Sequence, residues 1–153
     1  MTLTIRKDDL SGPEIQALIA AHLANSAIYS PPEAIHALNA DGLRTPAVTV
    51  WSAWRNGGLL GMGGLKELPP DEGEIKSMHT AAAHRGEGVG EAMLRHLIAE
   101  ARRRGYRRLY LETGVQDGYT PSRRLYTRHG FVACGPFADY VENPYSVFMT
   151  LAL

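Results

Sequence analysis

His84-Arg85-Gly86-Glu87-Gly88-Val89-Gly90-Glu91-Ala92 stands between an alternating apolar segment and the most regular amphipathic stretch of the chain. Glycine at positions 86, 88 and 90 lets the backbone turn sharply and approach a ligand closely. A helix that begins here points its unbonded N–H groups and the positive end of its dipole back at the loop. A diphosphate is the anion such a cradle suits. Read in isolation, Gly-x-Gly serves equally well as a tight connection, so its surroundings decide.

Downstream, Val89, Met93, Leu94, Leu97, Ile98 and Ala101 recur at three- and four-residue intervals and predict a helix over 88–104. Arg102, Arg103 and Arg104 fall in its last turn, where the dipole favours positive charge, and Gly105 is placed to take a left-handed cap. Alternation then predicts a strand over 107–113. Thr120 and Pro121 open a helix to about 129, closed by Gly130, and two more strands follow over 131–134 and 145–151.

Upstream, 74–80 reads as a strand carrying Ile75 and Met78, preceded by a break over 68–73. Before it lies an antiparallel meander, with strands over 46–54 and 59–65 joined by the hairpin signal Asn56-Gly57. At the N-terminal end Leu3 and Ile5 mark a first strand. Ser11, Pro13 and Glu14 then read as N-cap, first-turn proline and capping acid of a helix over 13–24. The same signature at Ser30, Pro31 and Glu33 predicts a short second helix with Ile35 and Leu38 on its apolar face. The order is strand, two helices, three strands, helix, strand, helix, two strands.

At 153 residues with 44% apolar and 21% charged side chains, the chain is expected to form one domain over 1–153. Sixteen basic residues balance sixteen acidic ones, so no global field recruits nucleic acid or an anionic membrane. The basic run 102–108 reads as a solvated helix end, and nucleic-acid binding is not expected. Cys134 is the only cysteine, which excludes an internal disulfide, and it reads as a small buried filler. The six histidines show no ligand spacing, so no metal is expected. Acidic residues in the first ten positions and the lack of a long apolar run point to a cytoplasmic protein that does not engage a membrane.

A dinucleotide-binding turn competes for the glycine loop, since Glu112 follows at the end of a later strand. It is disfavoured on three grounds. Glu91 occupies the third small-residue position, residues 81–84 intervene between strand and loop, and a meander precedes the loop.

Arg85-x-x-Gly88-x-Gly90 resembles the signature of the GNAT superfamily of N-acetyltransferases, which reads Gln or Arg, two residues, Gly, one residue, Gly or Ala. GEIKSMHT is similar to the family's central fourth strand, and SRRLYTRHGF to its later helix. The resemblance covers about 2–151. It implies a mixed α/β fold with a mostly antiparallel central sheet of about seven strands flanked by about four helices. Acetyl-coenzyme A is the implied co-substrate, its pantetheine arm pairing with the backbone of Met78, His79 and Thr80. Its pyrophosphate would rest on amides of Arg85, Gly86, Glu87, Gly88, Val89, Gly90 and Glu91. The fourth and fifth strands would splay, leaving the thioester between Met78 and Leu111.

Direct attack by an amine needs a base for its proton and an acid for the departing thiolate. The resemblance implies Tyr126 as that acid; out of context it reads as a core aromatic. Glu74 stands where some members keep a general base, and it reads equally as an exposed strand-end carboxylate. Glu112 is the alternative base or a group that binds a cationic acceptor. Many members carry an asparagine near the start of the later helix, where this chain has Gly118-Tyr119-Thr120-Pro121, leaving Ser122 as the substitute contact. The turn around Tyr140 reads as a surface hairpin or as part of an acceptor pocket. The expected partner is a small-molecule amine, with a protein or peptide amine and a non-catalytic acyl-coenzyme A module as alternatives. A homodimer is a family-level expectation.

Overall fold

The computed structural model describes residues 2–32 and 37–153. Seven strands form one sheet: β1 (Thr4–Lys7), β2 (Val48–Arg55), β3 (Gly58–Leu68), β4 (Glu72–Thr80), β5 (Arg108–Gly114), β6 (Val132–Cys134) and β7 (Ser146–Ala152). Their order across the sheet is β1-β2-β3-β4-β5-β7-β6, antiparallel throughout except for β4 beside β5. The helices are α1 (Pro13–Tyr29), α2 (Ala40–Leu43), α3 (Val89–Arg103) and α4 (Thr120–Arg128).

Turn chemistry fixes the meander. Asn56 and Gly57 have φ of 54° and 76°, the two left-handed residues that a two-residue hairpin needs to match strand twist. α3 packs on one face of the sheet above β3 and β4, where two glycines make room for it. A Cβ on Gly63 would sit 2.7 Å from Met93 Cγ, and one on Gly61 2.8 Å from Val89 Cγ1. Met93, Leu94, Leu97 and Ala101 are thereby sealed against Leu65, Ile75, Leu109 and Leu111, with Tyr126 and Phe131 closing the same core. α1 covers the opposite face, packing Ile15, Leu18 and Ile19 with Val50 and Met62.

Three details at the N-terminal end differ from the sequence reading. The N-cap of α1 is Gly12, which supplies no side-chain hydrogen bond, because the Ser11 hydroxyl is taken by Asp9 Oδ1 at 2.6 Å. The helix also runs past residue 24 to Tyr29, since Asn25, Ser26, Ala27 and Ile28 contain no breaker and the chain meets proline only at 31 and 32. Glu33 and Ile35 of the expected second helix lie outside the described residues. The described short helix is α2, capped by Asn39 through Gly42 N–H at 2.8 Å. Cys134 is a further correction. It lies half-buried on the edge strand β6 rather than in the core, because β6 has a neighbour on one side only.

The feature that positions the site is where β4 leaves β5. The two strands pair in parallel at Glu72, Gly73 and Glu74 with Arg108, Leu109 and Tyr110, and no further. Three residues on, Ser77 adopts φ of 54° and the register against β3 slips between Met62 and Gly64. A bulge of this kind bends a strand and increases its local twist. β4 continues to Thr80 with one edge unpaired, and the sheet opens into a V.

Candidate active site

A cleft of about 820 Å³ fills that opening. Its walls are 74–80 of β4 and 111–114 of β5, and the glycine loop, α4 and His22, Asn25 and Ser26 of α1 complete its lining. Beyond Glu74 the β5-facing edge of β4, including Met78, His79 and Thr80, has no strand partner, while His79 and Thr80 pair with Met62 and Gly61 on the other side. That edge can hydrogen-bond an extended ligand as a strand would.

The loop is shaped by conformation. Gly86 and Gly88 have φ of 79° and 82°, and a Cβ added at either would meet nothing within 4 Å, so glycine is required by backbone angle and not by crowding. Gly88 is the N-cap of α3, which leaves the amides of Val89, Gly90 and Glu91 without helical partners. Val89 drops its side chain into the core and anchors the turn. Arg85, Gly86, Gly88, Val89, Gly90 and Glu91 all line the cleft. The Glu87 side chain does not; it turns outward to Arg55 and to His84 Nδ1 at 3.3 Å, and the Arg55 contact holds its carboxyl below the usual range. Glu91 is engaged by Arg95 at 3.3 Å and His129 at 3.1 Å. The loop can therefore offer amides to an anion while its acidic side chains are neutralised elsewhere.

At the vertex of the V, Glu74 is 2% exposed and Lys76 9%. Their burial corrects the reading of Glu74 as an exposed strand-end carboxylate: the parallel pairing with Tyr110 and the cover from Tyr140 enclose it. Tyr140 Oη donates to Glu74 Oε2 at 2.5 Å and accepts from Lys76 Nζ at 2.8 Å, and Lys76 Nζ lies 3.3 Å from the same Oε2. Tyr140 thus belongs to the cleft and not to a surface hairpin. It is held there by Phe137, whose ring stacks on Tyr110 at 4.7 Å and meets Tyr140 edge-on at 4.9 Å.

Glu112 and Tyr126 also line the cleft. Burial pushes the Glu112 carboxyl up to about 7; Ser146 and Lys76 oppose that rise and the Glu74 charge adds to it. Tyr126 is 6% exposed, with its ring edge-on to Phe131 at 5.8 Å. Burial first, and the Glu112 charge second, raise its phenol above the ordinary range, so it stays protonated at neutral pH. Ser122 lines the cleft from α4.

Two groups escaped the sequence reading. Lys76 was visible in principle, because residues 74 and 76 of a strand share a face and their opposite charges mark a pair. His22 carried no local signal. It reaches from α1 so that its Nδ1 lies 3.1 Å from His79 Nδ1, and burial lowers both imidazoles to about 4. Two neutral rings joined in this way supply neutral hydrogen-bonding groups to the α1 side of the cleft.

Comparison with known proteins follows the same lines. The model of a family described as "Acetyltransferase (GNAT) family" matches residues 16–131. "Uncharacterized N-acetyltransferase YsnE" of Bacillus subtilis (strain 168) is 51% identical over 149 residues, covering 97% of this chain and 99% of its own length. "Uncharacterized N-acetyltransferase YedL" of Escherichia coli (strain K12) is 47% identical over 150 residues, with 98% and 94% covered. Among solved structures, a GNAT family acetyltransferase from Elizabethkingia anophelis with acetyl-CoA bound shares the fold at a TM-score of 0.75 and 20% identity, covering 99% of this chain and 98% of its own.

Proposed function

From the premise that this chain belongs to the acetyltransferase (GNAT) family, we propose that it transfers the acetyl group of acetyl-coenzyme A to a primary amine of a small molecule, by direct attack in a ternary complex. The observation that carries this reading is the meeting of Glu112 and Tyr126 in one cleft beside the unpaired edge of β4. The amides at the start of α3 suit a pyrophosphate, and the free edge of β4 suits the amides of a pantetheine arm, leaving the thioester in the V.

An alkylammonium has a pKa near 10, so at neutral pH the acceptor arrives protonated and unreactive. A base is most effective when its own pKa lies near the working pH. Glu112, at about 7, meets that condition. Glu74 already accepts from Tyr140 and Lys76, and in this reading it positions the acceptor wall and takes no proton. Glu112 removes one proton from the ammonium, the freed nitrogen attacks the carbonyl carbon, and the carbon–sulfur bond breaks. The sulfur takes the Tyr126 proton, the second proton on the new amide nitrogen returns to the tyrosinate, and Glu112 gives its proton to solvent. A cytoplasmic setting, where thiols stay reduced, fits the single free Cys134.

The test is thiol release from acetyl-coenzyme A by the purified chain across a panel of primary amines. Release that depends on the amine is expected, with the acetylamide recovered in equal amount. A chain that binds acetyl-coenzyme A and acetylates no small amine would overturn the acceptor class; one that binds none would overturn the whole reading.

A further inference from the structure

Glu87 is the one acid inside the turn of the glycine loop. It sits between Gly86 and Gly88, whose φ values of 79° and 82° set the turn and at neither of which a Cβ would meet a neighbour within 4 Å, so packing does not pin this segment. Glu87 precedes the N-cap of α3, where unbonded amides and the positive end of the dipole favour an anion. A carboxylate of the chain itself answers that demand as a phosphate does. Left to itself, Glu87 is an internal competitor for the cradle that the glycines build.

The fold sends it elsewhere. Its carboxylate meets the Arg55 guanidinium and also His84 Nδ1, the latter at 3.3 Å. Arg55 is 32 positions away, the last residue of β2, paired with Gly58 across the Asn56-Gly57 hairpin, so it reaches the loop from a fixed rung of the sheet. The Arg55 hydrogen bond, with that of His84 second, holds the Glu87 carboxyl below its ordinary value, so the group is charged at neutral pH. Stability does not account for the contact. The two side chains are 27% and 38% exposed, and ion pairs of that kind contribute little to folding. Glu91, the acid in the first turn of α3, is drawn off in the same manner by Arg95 and His129.

We propose that Arg55 is a positioning residue for the cofactor: by drawing Glu87 outward it withholds the chain's own carboxylate from the pyrophosphate site. It touches no substrate atom and acts through Glu87. The proposal rests on the acetyl-coenzyme A reading above, and its test keeps the two apart. Wild type, Arg55→Gln, Glu87→Gln and the double variant are titrated calorimetrically with coenzyme A at low and at high salt, with circular dichroism as the check of folding. Arg55→Gln is expected to bind roughly 3- to 10-fold more weakly, the size of an interaction between partly solvated charges in near contact. The loss should shrink as salt rises. Adding Glu87→Gln should return the affinity to the wild-type value. Glu87→Gln alone, which leaves Arg55 unopposed beside the anion, should bind more tightly than wild type. Arg55→Lys keeps the charge and should keep most of the affinity; should Arg55→Gln fold poorly, Arg55→Met carries the same comparison. Normal binding by the neutral variants of Arg55 overturns the proposal. So does a double variant that binds no better than Arg55→Gln, since an arginine that attracts the cofactor directly, or only braces the hairpin, is not rescued at residue 87. Failure of wild type to bind coenzyme A would sink the proposed function instead.

Discussion

Replacing Glu112 by glutamine should make the protein less active and, increasingly as pH rises from about 4.5 to 7, more stable. Burial, the leading cause, pushes the folded carboxyl up to about 7 from the 4.5 of an unperturbed glutamate. The sign follows from linkage. Between those pH values the folded form holds a proton that the unfolded chain has lost, so wild-type stability falls as pH rises through this window. Below about 4.5 both forms are protonated and the group contributes nothing; above 7 both are ionised and the folded form carries the full cost of a buried charge. That displacement corresponds to about 3 kcal/mol. Glutamine removes it and keeps an oxygen to accept from Ser146. Urea unfolding of wild type and Glu112→Gln, followed by tryptophan fluorescence from pH 5 to 8, should show the variant more stable by about 3 kcal/mol at pH 8 and by under about 1 kcal/mol at pH 5. All other titrating groups are common to the two proteins and cancel. A difference that stays constant across this range would show that Glu112 titrates normally, and would remove the physical basis for its role as base. With an accepted amine, the same variant should lose ~10²–10⁴ in turnover together with the rise in rate through pH 7.

Tyr126→Phe should bind coenzyme A as wild type does while losing turnover by ~10²–10⁴, and full activity would return the residue to a core aromatic. Gly88→Asp places a side chain at φ of 82° and a negative charge at the anion cradle; coenzyme A titration should show binding lost while circular dichroism shows the fold retained. Lys76→Met strands the buried Glu74 carboxylate and should cost about 3–5 kcal/mol in urea unfolding, most of which the added change Glu74→Gln restores. A double variant no more stable than the single one would show that the ion pair is not what Lys76 contributes.

The parts of this fold that local chemistry specifies were legible in the sequence. The periodicity of α3, the Asn56-Gly57 hairpin and the glycine loop each depend on residues close together in the chain, and each lies where the pattern puts it. The N-terminal region was read less well. The Ser11 hydroxyl had two acceptable uses, and the neighbouring Asp9 won it from the helix end. Within the site, the glycine loop was expected from its local pattern and the splaying of the fourth and fifth strands from the family resemblance. Side-chain partnerships across long separations were not. Tyr140 and Glu74 are 66 positions apart, His22 and His79 57, and only the folded sheet brings either pair together.

The bulge at Ser77 joins these threads, because it is where the fold gives up stability to gain a site. A continuous β4–β5 ladder would satisfy every backbone group along both strands, whereas the observed pairing stops at Glu74 and leaves the far half of β4 with one edge open. Unbonded backbone groups are costly when buried and useful when a ligand can satisfy them. The vertex is held by buried charges, Glu74 with Lys76 under Tyr140, and such a pair contributes little net stability over an apolar replacement. What it does supply is a fixed charge close enough to raise the carboxyl of Glu112 and a lysine close enough to limit the rise. An apolar vertex would fold as well or better, yet it would leave the Glu112 carboxyl to burial, which raises it, and to the Ser146 hydrogen bond, which lowers it. In the proposed mechanism the pair at the last rung of the ladder tempers the proton affinity of Glu112, at a place where the sheet itself gains little stability from it.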